Sequence, residues 1–414
     1  MDKREFDVVI WGATGFTGKL VAEYLAANYG INSDLNWAIA GRDAQKLADL
    51  KETLSRTVDA SELPTILANS NDPDSLLKLA KRTRVVCTTV GPYALYGTPA
   101  VEACVAAGTH YCDLAGEVQW MAKIIANYQK KAEDSGARIV HTCGFDSIPT
   151  DMGTWFLQQA MLKKHGVAAT QIKSRVGRTR GAASGGTIAS MLNMMEEAKG
   201  DAFVRDAISN PYSLYPAGAA PGQDEADQSN ARYDPDFQQW TAPFVMAAIN
   251  NRVVRRTNAL LGFPWGEDFR FDEALLNSSR FQARSIATIS NIGMGSLSVT
   301  PLRNIAKKML PKPGEGPSKA DREAGYYELY FHGKHPHDPD KDMRAKVTGD
   351  MDPGYGSTSK MLAEAAVCLA KDKPAGGGGI WTPAAAMGGK LLSRLRENAG
   401  LTFEVISVTA LSKK

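Results

Sequence analysis

The stretch FDVVIWGATGFTGKLVAEYL, residues 6–25, decides the fold. Phe6 to Trp11 is an apolar run broken only by Asp7, the pattern of a buried strand. Three glycines follow, Gly12, Gly15 and Gly18. Leu20, Val21, Tyr24 and Leu25 then share one face of a helix expected over residues 17–27. A strand that turns through glycines straight into a helix is built to hold phosphate. Gly12 lets the chain turn sharply, Gly15 admits a pyrophosphate close to the backbone, and Gly18 lets the helix lie on the sheet. The helix start adds unpaired N–H groups and a partial positive charge. The spacing is GxxGxxG rather than GxGxxG, so the flanking strand and helix carry the reading. Gly12, Thr14, Gly15, Phe16, Thr17 and Gly18 are therefore the expected contacts to a dinucleotide.

The same alternation continues to about residue 145. Strands are expected at 37–40, 65–68, 85–90, 110–114 and 138–143, separated by helices at 43–54, 74–80, 99–107 and 118–134. Strand–helix alternation with short connections builds a doubly wound parallel sheet. After Pro149 the pattern changes. Residues 171–179, 326–331 and 343–348 alternate as the half-exposed strands of an antiparallel sheet do. The expected class is α/β: a Rossmann-like doubly wound parallel sheet in residues 1–150, then an α+β substrate or dimerisation domain on a mostly antiparallel sheet in residues 151–370. Residues 210–236, rich in Pro and Gly, are expected to form a long loop or lid, and 376–379 a flexible joint. Helices at 357–370 and 384–396 and a strand at 402–408 close the chain.

Composition sets outer limits. At ~150 residues per domain, 414 residues make two or three domains. The 43% apolar and 22% charged fractions exclude a disordered or fibrous chain. A net charge of +3 is too balanced to point to nucleic acid, which is not an expected partner. Five cysteines without CxxC pairing speak against a disulfide framework or zinc ribbon and for a reducing compartment. With no run of ~18 apolar residues and a charged start in place of a signal-like one, a cytoplasmic protein is expected.

The ends of the later strands refine the ligand. NAD-binding chains usually place an acid after the second strand for the ribose hydroxyls. Here Ala40-Gly41-Arg42 stands there, with Lys46 one turn later. A guanidinium matches a 2′-phosphate that an acid would repel, so NADPH/NADP is expected over NADH, with Arg42 and Lys46 as its contacts. Asn69, after the third strand, is placed to meet the adenine. The fourth strand runs into Val90-Gly91-Pro92, a constrained path expected to border the nicotinamide ribose. Tyr93 and Tyr96 follow, either as stacking or proton-donating groups or as packing aromatics. The fifth strand leads to Asp113 and Glu117, of which Glu117 suits a helix start. The sixth leads to Asp146 and Ser147, which either face the cleft or, for Asp146, cap the next helix. Tyr93, Asp146 and Ser147 are the candidates for proton donation or positioning.

Together, GATGFTGKLVAEYL (12–25), AGR (40–42), VGPYALYG (90–97), CDLAGE (112–117) and GFDSIPTD (144–151) resemble the saccharopine dehydrogenase-like oxidoreductases. Within that superfamily the resemblance is to the bacterial trans-acting enoyl reductases and the animal saccharopine dehydrogenase-like oxidoreductase. APFVM (242–246), RVVRR (252–256), GEGP (314–317) and GGGIWTPA (377–384) agree with it. The resemblance implies a Rossmann domain plus an α+β domain, with residues 371–414 returning to the Rossmann side. It implies NADP-linked reduction and, in the enoyl reductase branch, of a C=C bond in a polyketide or lipid intermediate. The first expectation is thus an NADPH-dependent reductase of an apolar acyl or enoyl substrate. The alternatives are an NADPH-binding sensor or lipid-associated protein without turnover and, more weakly, a saccharopine-type amino-acid dehydrogenase.

Other signals are weighed against simpler readings. Tyr330 and Lys334 have a Tyr-x-x-x-Lys spacing, but on a strand, where it is accidental. His332, His335 and His337 read as a polar hairpin loop, and no metal is expected. The turn at 184–187 opens a helix with Met191, Leu192, Met194 and Met195. Its bland reading is core; its sharper one is a site for a substrate phosphate or thioester, with Arg178 and Arg180 nearby for an acyl carrier. Residues 286–299, followed by Arg303, Lys307, Lys308 and Lys312, suit either a buried helix with a solvated end or an anionic membrane surface and peripheral attachment. The exposed strands of the middle domain suggest a homodimer through sheet extension.

Overall fold

The computed structural model describes residues 4–31, 33–181, 185–297, 315–374 and 376–408, apart from the side chains at 294, 296 and 297. The opening apolar run is β1 (Phe6–Trp11), buried along its whole length. It is followed by α1 (Phe16–Tyr29), β2 (Trp37–Gly41), α2 (Ala44–Leu54), β3 (Thr65–Leu67), α3 (Pro73–Arg82), β4 (Thr83–Thr88) and a short α4 (Tyr93–Tyr96). Then come α5 (Thr98–Ala107), β5 (His110–Cys112), α6 (Val118–Ser135), β6 (Arg138–Val140) and α7 (Ile148–His165). Local chemistry sets these boundaries. Asp43 and Asp72 cap α2 and α3 by accepting from the Lys46 and Ser75 N–H groups. Left-handed Gly108 and Gly136 end α5 and α6. The strands pair in parallel in the order β3-β2-β1-β4-β5-β6. Winding reverses between β1 and β4, and the C-terminal ends of those two strands therefore open a crevice.

The rest of the chain supplies β7 (Gln171–Arg180), α8 (Gly185–Gly200), α9 (Ala202–Ser209), β8 (Arg232–Asp234), β9 (Gln239–Ala242), α10 (Ala247–Leu260) and β10 (Arg270–Asn277). After these come α11 (Arg280–Leu297), α12 (Lys319–Glu323), β11 (Tyr326–Lys334), β12 (Met343–Gly349), α13 (Gly356–Lys371), β13 (Gly379–Trp381), α14 (Pro383–Glu397) and β14 (Leu401–Ile406). A second sheet runs β14-β12-β11-β7-β10-β9-β8, antiparallel except for the β7–β10 pair. The α/β class with a parallel and a mostly antiparallel sheet is thus as the sequence indicates. The chain returns to the first sheet twice. Helix α13 packs beside α1 on β1, β4 and β5, and β13 pairs in parallel with β6. Buried Glu364 of α13 accepts from the Tyr24 and Tyr29 hydroxyls at 2.7 Å each, locking it to α1.

Several expectations need correction. Residues 376–379 are not a flexible joint. A side chain at Gly378 would strike the Ala132 carbonyl oxygen and lie 2.7 Å from Gly136 Cα, so glycine there serves close packing, and Gly379 already belongs to β13. Residues 210–236 are a stapled loop, not a free lid. The fully buried Arg252, Arg255 and Arg256 of α10 donate to the carbonyl oxygens of Asn210 (3.1 Å), Pro211 (3.0 Å) and Leu214 (2.5 Å). Asp227 and Asp224 pair with Arg252 and Arg255 at 2.8 and 2.5 Å. His332 is buried within β11, 3.1 Å from Asp342, not in a solvated loop. Helix α7 escapes delimitation by sequence because Thr150, Asp151, Thr154 and Gln158 are as buried as its apolar residues, which erases any amphipathic stripe. Among the described residues no helix is long and apolar enough to cross a membrane. Arg303, Lys307, Lys308, Lys312, Val299 and the turn residue Ser184 lie outside the described residues.

Candidate active site

The glycine loop sits at the crevice mouth. Gly12 has φ +89°, and a side chain there would meet Val90 Cγ2 at 2.6 Å. One at Gly18 would overlap the Gly12 carbonyl oxygen and come 2.9 Å from Ala13 Cα. These are positions only glycine can fill. Gly15 is different: a side chain would meet only the Gly12 oxygen, at 3.3 Å, so its outer side is open. Helix α1 begins there without a side-chain cap, which leaves the N–H groups of its first turn for an anion. The Gly12 and Ala13 N–H groups donate to the Ala40 carbonyl at 3.0 and 3.2 Å. Thr14 Oγ1 is 3.7 Å from the Cβ position of Gly41, so Arg42 stands beside the loop. The Arg42 and Lys46 side chains are exposed, and neither has an ion-pair partner among the described residues. Asn69 Oδ1 accepts from the Asn71 N–H at 3.0 Å and shapes the turn after β3. Phe16 and Thr17 open α1; the Phe16 ring packs edge-on against Tyr355 at 4.8 Å, with the Arg322 guanidinium 5.5 Å from its centre. A glycine cradle, an uncapped helix start and two unpaired cations beside β2 are what a diphosphate with an additional ribose phosphate needs. The residues present fit NADP.

The end of β4 leans on the same loop. Thr89 Oγ1 donates to the Gly12 carbonyl at 3.2 Å, Val90 rests against Gly12, and the Gly91–Pro92 peptide is cis. Tyr93 is committed to packing. Its buried hydroxyl donates to the Thr88 carbonyl at 3.3 Å and accepts from the Leu114 N–H at 3.1 Å, and its ring stacks on Trp120 at 5.5 Å. Burial pushes that hydroxyl well above the usual tyrosine range. Glu117 starts α6 as expected, its carbonyl accepting from the Met121 N–H at 3.0 Å, but its side chain caps α4 instead. Its carboxylate accepts from the Tyr93 and Ala94 N–H groups at 2.7 and 2.9 Å and from Ser190 Oγ at 2.7 Å.

Asp113, fully buried at the end of β5, organises the turn after β6. Oδ1 accepts from the Ala115 and Thr142 N–H groups at 3.0 and 3.2 Å, and Oδ2 lies 2.7 Å from His141 Nδ1. Thr142 has φ +61°, a costly conformation for a β-branched residue, which these contacts hold. The turn delivers Asp146 between Gly116 and Gly144, whose Cβ positions lie 3.5 and 3.2 Å from the carboxylate oxygens. Asp146 is half-buried, and among the described residues its carboxylate has no side-chain partner, only its own backbone N–H. Burial, with the Asp113 charge adding to it, pushes its carboxyl up to about 7.

Ser147 is elsewhere engaged. Its buried hydroxyl donates to Asn250 Oδ1 at 2.8 Å, and Asn250 Nδ2 donates to Glu273 Oε2 at 2.6 Å. Glu273 also accepts from Thr150 and Ser174 at 2.7 and 2.9 Å. Ser147 thus ties the turn after β6 to α10 and, through Asn250, to Glu273 of β10, and is not offered to the crevice. Of the three candidate proton donors, only Asp146 retains an uncommitted group. Sequence reasoning missed Asn250, Glu273 and His141, because they come from distant segments and no local spacing links them. Cys143 is buried and its thiol is pushed up by burial, so it is no nucleophile.

Residues 8–140 match the family described as the Saccharopine dehydrogenase NADP binding domain. A protein of Mycobacterium tuberculosis (strain ATCC 25618 / H37Rv), provisionally named a trans-acting enoyl reductase, is 41% identical over 407 residues, 95% of this chain and 96% of that protein. The trans-acting enoyl reductase of Mycobacterium bovis (strain BCG / Pasteur 1173P2) is 37% identical over 434 residues, 99% of both. Among solved structures, apo saccharopine dehydrogenase (L-Glu forming) from Saccharomyces cerevisiae superimposes with a TM-score of 0.54 over 97% of this chain and 99% of that one. At 11% identity, that likeness speaks for the fold alone. With the NADP cradle in place and relatives matching from end to end, the chain is an NADP-binding oxidoreductase and belongs to the saccharopine dehydrogenase-like family, alongside proteins named trans-acting enoyl reductases.

Proposed function

We propose that this oxidoreductase is an NADPH-dependent enoyl reductase that saturates a C=C bond in an apolar, lipid- or polyketide-type acyl substrate. The names of its relatives support the reaction class. The observation that carries the reading is Asp146, a half-buried carboxyl without a side-chain partner, beside the crevice and pushed up to about 7. When bound along the glycine loop and the end of β4, NADPH supplies a hydride. The protein's own task is to orient the double bond and to provide a proton to the carbon next to the carbonyl. A carboxyl poised near neutrality is partly protonated at pH 7 and suits that task. Asp113 keeps it poised, through its charge and through its hold on the Thr142 turn.

The test is NADPH oxidation in the presence of trans-2-enoyl thioesters. The wild type should turn over. Asp146→Asn should keep NADPH affinity and lose about 10²–10⁴-fold in kcat, the usual worth of a positioned general acid. Wild-type activity should fall as pH rises through about 7. Cofactor binding without oxidation on any enoyl or keto thioester would favour the sensor reading and refute this one. Full activity in Asp146→Asn would remove Asp146 from the mechanism.

A further inference from the structure

Helix α8 lies across the crevice. At its start the Gly185 N–H donates to the Tyr355 hydroxyl at 3.0 Å, and the Tyr355 ring packs on Phe16 of the glycine loop. Five residues on, Ser190 donates to Glu117, the carboxylate that also holds the Tyr93 and Ala94 N–H groups. Further along, Glu197 accepts from Gln119 of α6 at 3.1 Å. Five helical residues advance about 7.5 Å, about one and a half strand spacings of about 4.8 Å each. The helix therefore passes from the end of β1, over that of β4, toward that of β5.

The side chains it carries there are apolar and not core. Ile188, Met191, Met194 and Met195 are half-buried, and only Leu192 is buried. Ser190 and Glu197 mark the side turned to the first sheet's loops. Met194, one turn after Ser190, lies on that side, and Met191 is next to it. Between Gly185 and Met195 the helix has no charged residue, which suits a hydrocarbon and not an amino acid or a phosphate. Methionine is unbranched and polarisable, so it adapts to flexible chains of varied shape.

We propose that the methionine-bearing side of α8, with Met191 and Met194 at its centre, is the wall against which the substrate's acyl chain lies. This rests on the enoyl reductase reading and names its specificity element. The helix also ties substrate length to the cofactor site, because its ends are bonded to both rims.

The experiment measures KM for a series of trans-2-enoyl thioesters from four to twelve carbons, and the binding of the fluorescent polyene cis-parinaric acid to the NADP-loaded protein. In the wild type KM should fall with each added methylene, by at most about fourfold per fully buried group. The double variant Met191→Ser/Met194→Ser should flatten that slope, raise KM for the twelve-carbon substrate at least tenfold and weaken cis-parinaric acid binding similarly. Ile292→Ser, on the exposed side of α11, should keep the slope. A KM independent of chain length in the wild type, or an unchanged slope in the double variant, overturns the wall while leaving the reductase reading intact. If no thioester is reduced yet cis-parinaric acid binds and the double variant loses it, the reductase reading fails and the wall stands.

Discussion

Arg42 provides the sharpest test of the cofactor site. It is exposed, beside Thr14 and Gly41, and has no acidic partner among the described residues, which leaves its guanidinium for the 2′-phosphate that distinguishes NADPH from NADH. A hydrogen bond to a charged group is worth about 1.5–3 kcal/mol. Exposure argues for the lower end, which converts to about 10–30-fold in affinity at 1.4 kcal/mol per decade. Lys46, a point charge one turn into α2, should add a few-fold more. Arg42→Ala should therefore weaken NADPH about 10–30-fold and leave NADH within about twofold, and adding Lys46→Ala should abolish most of the remaining preference. Titration calorimetry with both coenzymes reads the two constants directly. Raising salt shortens the Debye length from about 10 Å at 0.1 M to about 3 Å at 1 M, so it should erode the wild-type preference more than that of the double variant. Equal losses for NADPH and NADH in Arg42→Ala, or a preference that survives both substitutions, would refute the assignment of the phosphate to this corner.

Gly18→Ala should abolish NADPH binding and lower the melting temperature, because the added methyl overlaps the Gly12 carbonyl, a backbone atom that cannot swing aside; overpacking of this kind costs about 1–3 kcal/mol, and wild-type titration and melting curves would contradict it. Asp151 is fully buried, and burial pushes its carboxyl up to about 7, so its protonated form favours the native state. That contribution is complete below the ordinary aspartate value of about 4 and is lost as pH rises through about 7; unfolding by urea should show the wild type losing stability relative to Asp151→Asn between about pH 4 and 7, and a pH-independent difference would count against it. The alternative reading of residues 286–299, contact with an anionic membrane, is tested on α11, where Phe281, Ile289 and Ile292 are 81%, 70% and 65% exposed beside Arg280 and Arg284. Flotation with phosphatidylserine vesicles at low salt should carry the wild type and not the triple serine variant, and failure of the wild type to float would end the idea.

What was legible in the sequence was local. Gly12 and Gly18 could be read because a left-handed turn and a close approach leave room for one residue type only, and Gly15 because the backbone of a phosphate loop must stay open to its ligand. β1 could be read because burial on both faces demands an unbroken apolar run. Four of the second sheet's strands, β7, β11, β12 and β14, could be read from their alternation, whereas β8, β9 and β10 were missed. Glu117 was read correctly as the start of α6, but the partners of its carboxylate were not legible, because they are the N–H groups of α4, 23 and 24 residues earlier. The glycines before β13 looked like slack because nothing in their own segment reveals that α6 passes against them. Asn250, Glu273 and Ser174 were invisible as a set, since the groups that satisfy a buried polar atom are chosen by the fold and not by spacing. Met191 and Met194 were divided between core and site, and their half-burial on the anchored helix α8 speaks against the core.

The polar groups buried between the two sheets have a common logic. Glu273 takes hydrogen bonds from α7, β7 and α10, and Asp151 from α10 and the start of α14. Arg256 has no carboxylate partner and burial lowers it to about 9, yet it donates to carbonyls in the 210–236 loop and in β13 and to Gln129 of α6. Well-packed hydrophobes of the same volume would often be as stabilising. Their effect differs in one respect: a greasy junction can slide at little cost, whereas a slipped junction here leaves each group unpaired at about 1–3 kcal/mol apiece. The junction therefore has one register, and that register keeps α7, with Asp146 just ahead of it, fixed relative to β7 and α10. In the proposed reaction, where hydride and proton must reach neighbouring carbons of a flexible chain, a fixed register between the half that carries the glycine loop and the rest would be worth more than the stability the polar groups forgo.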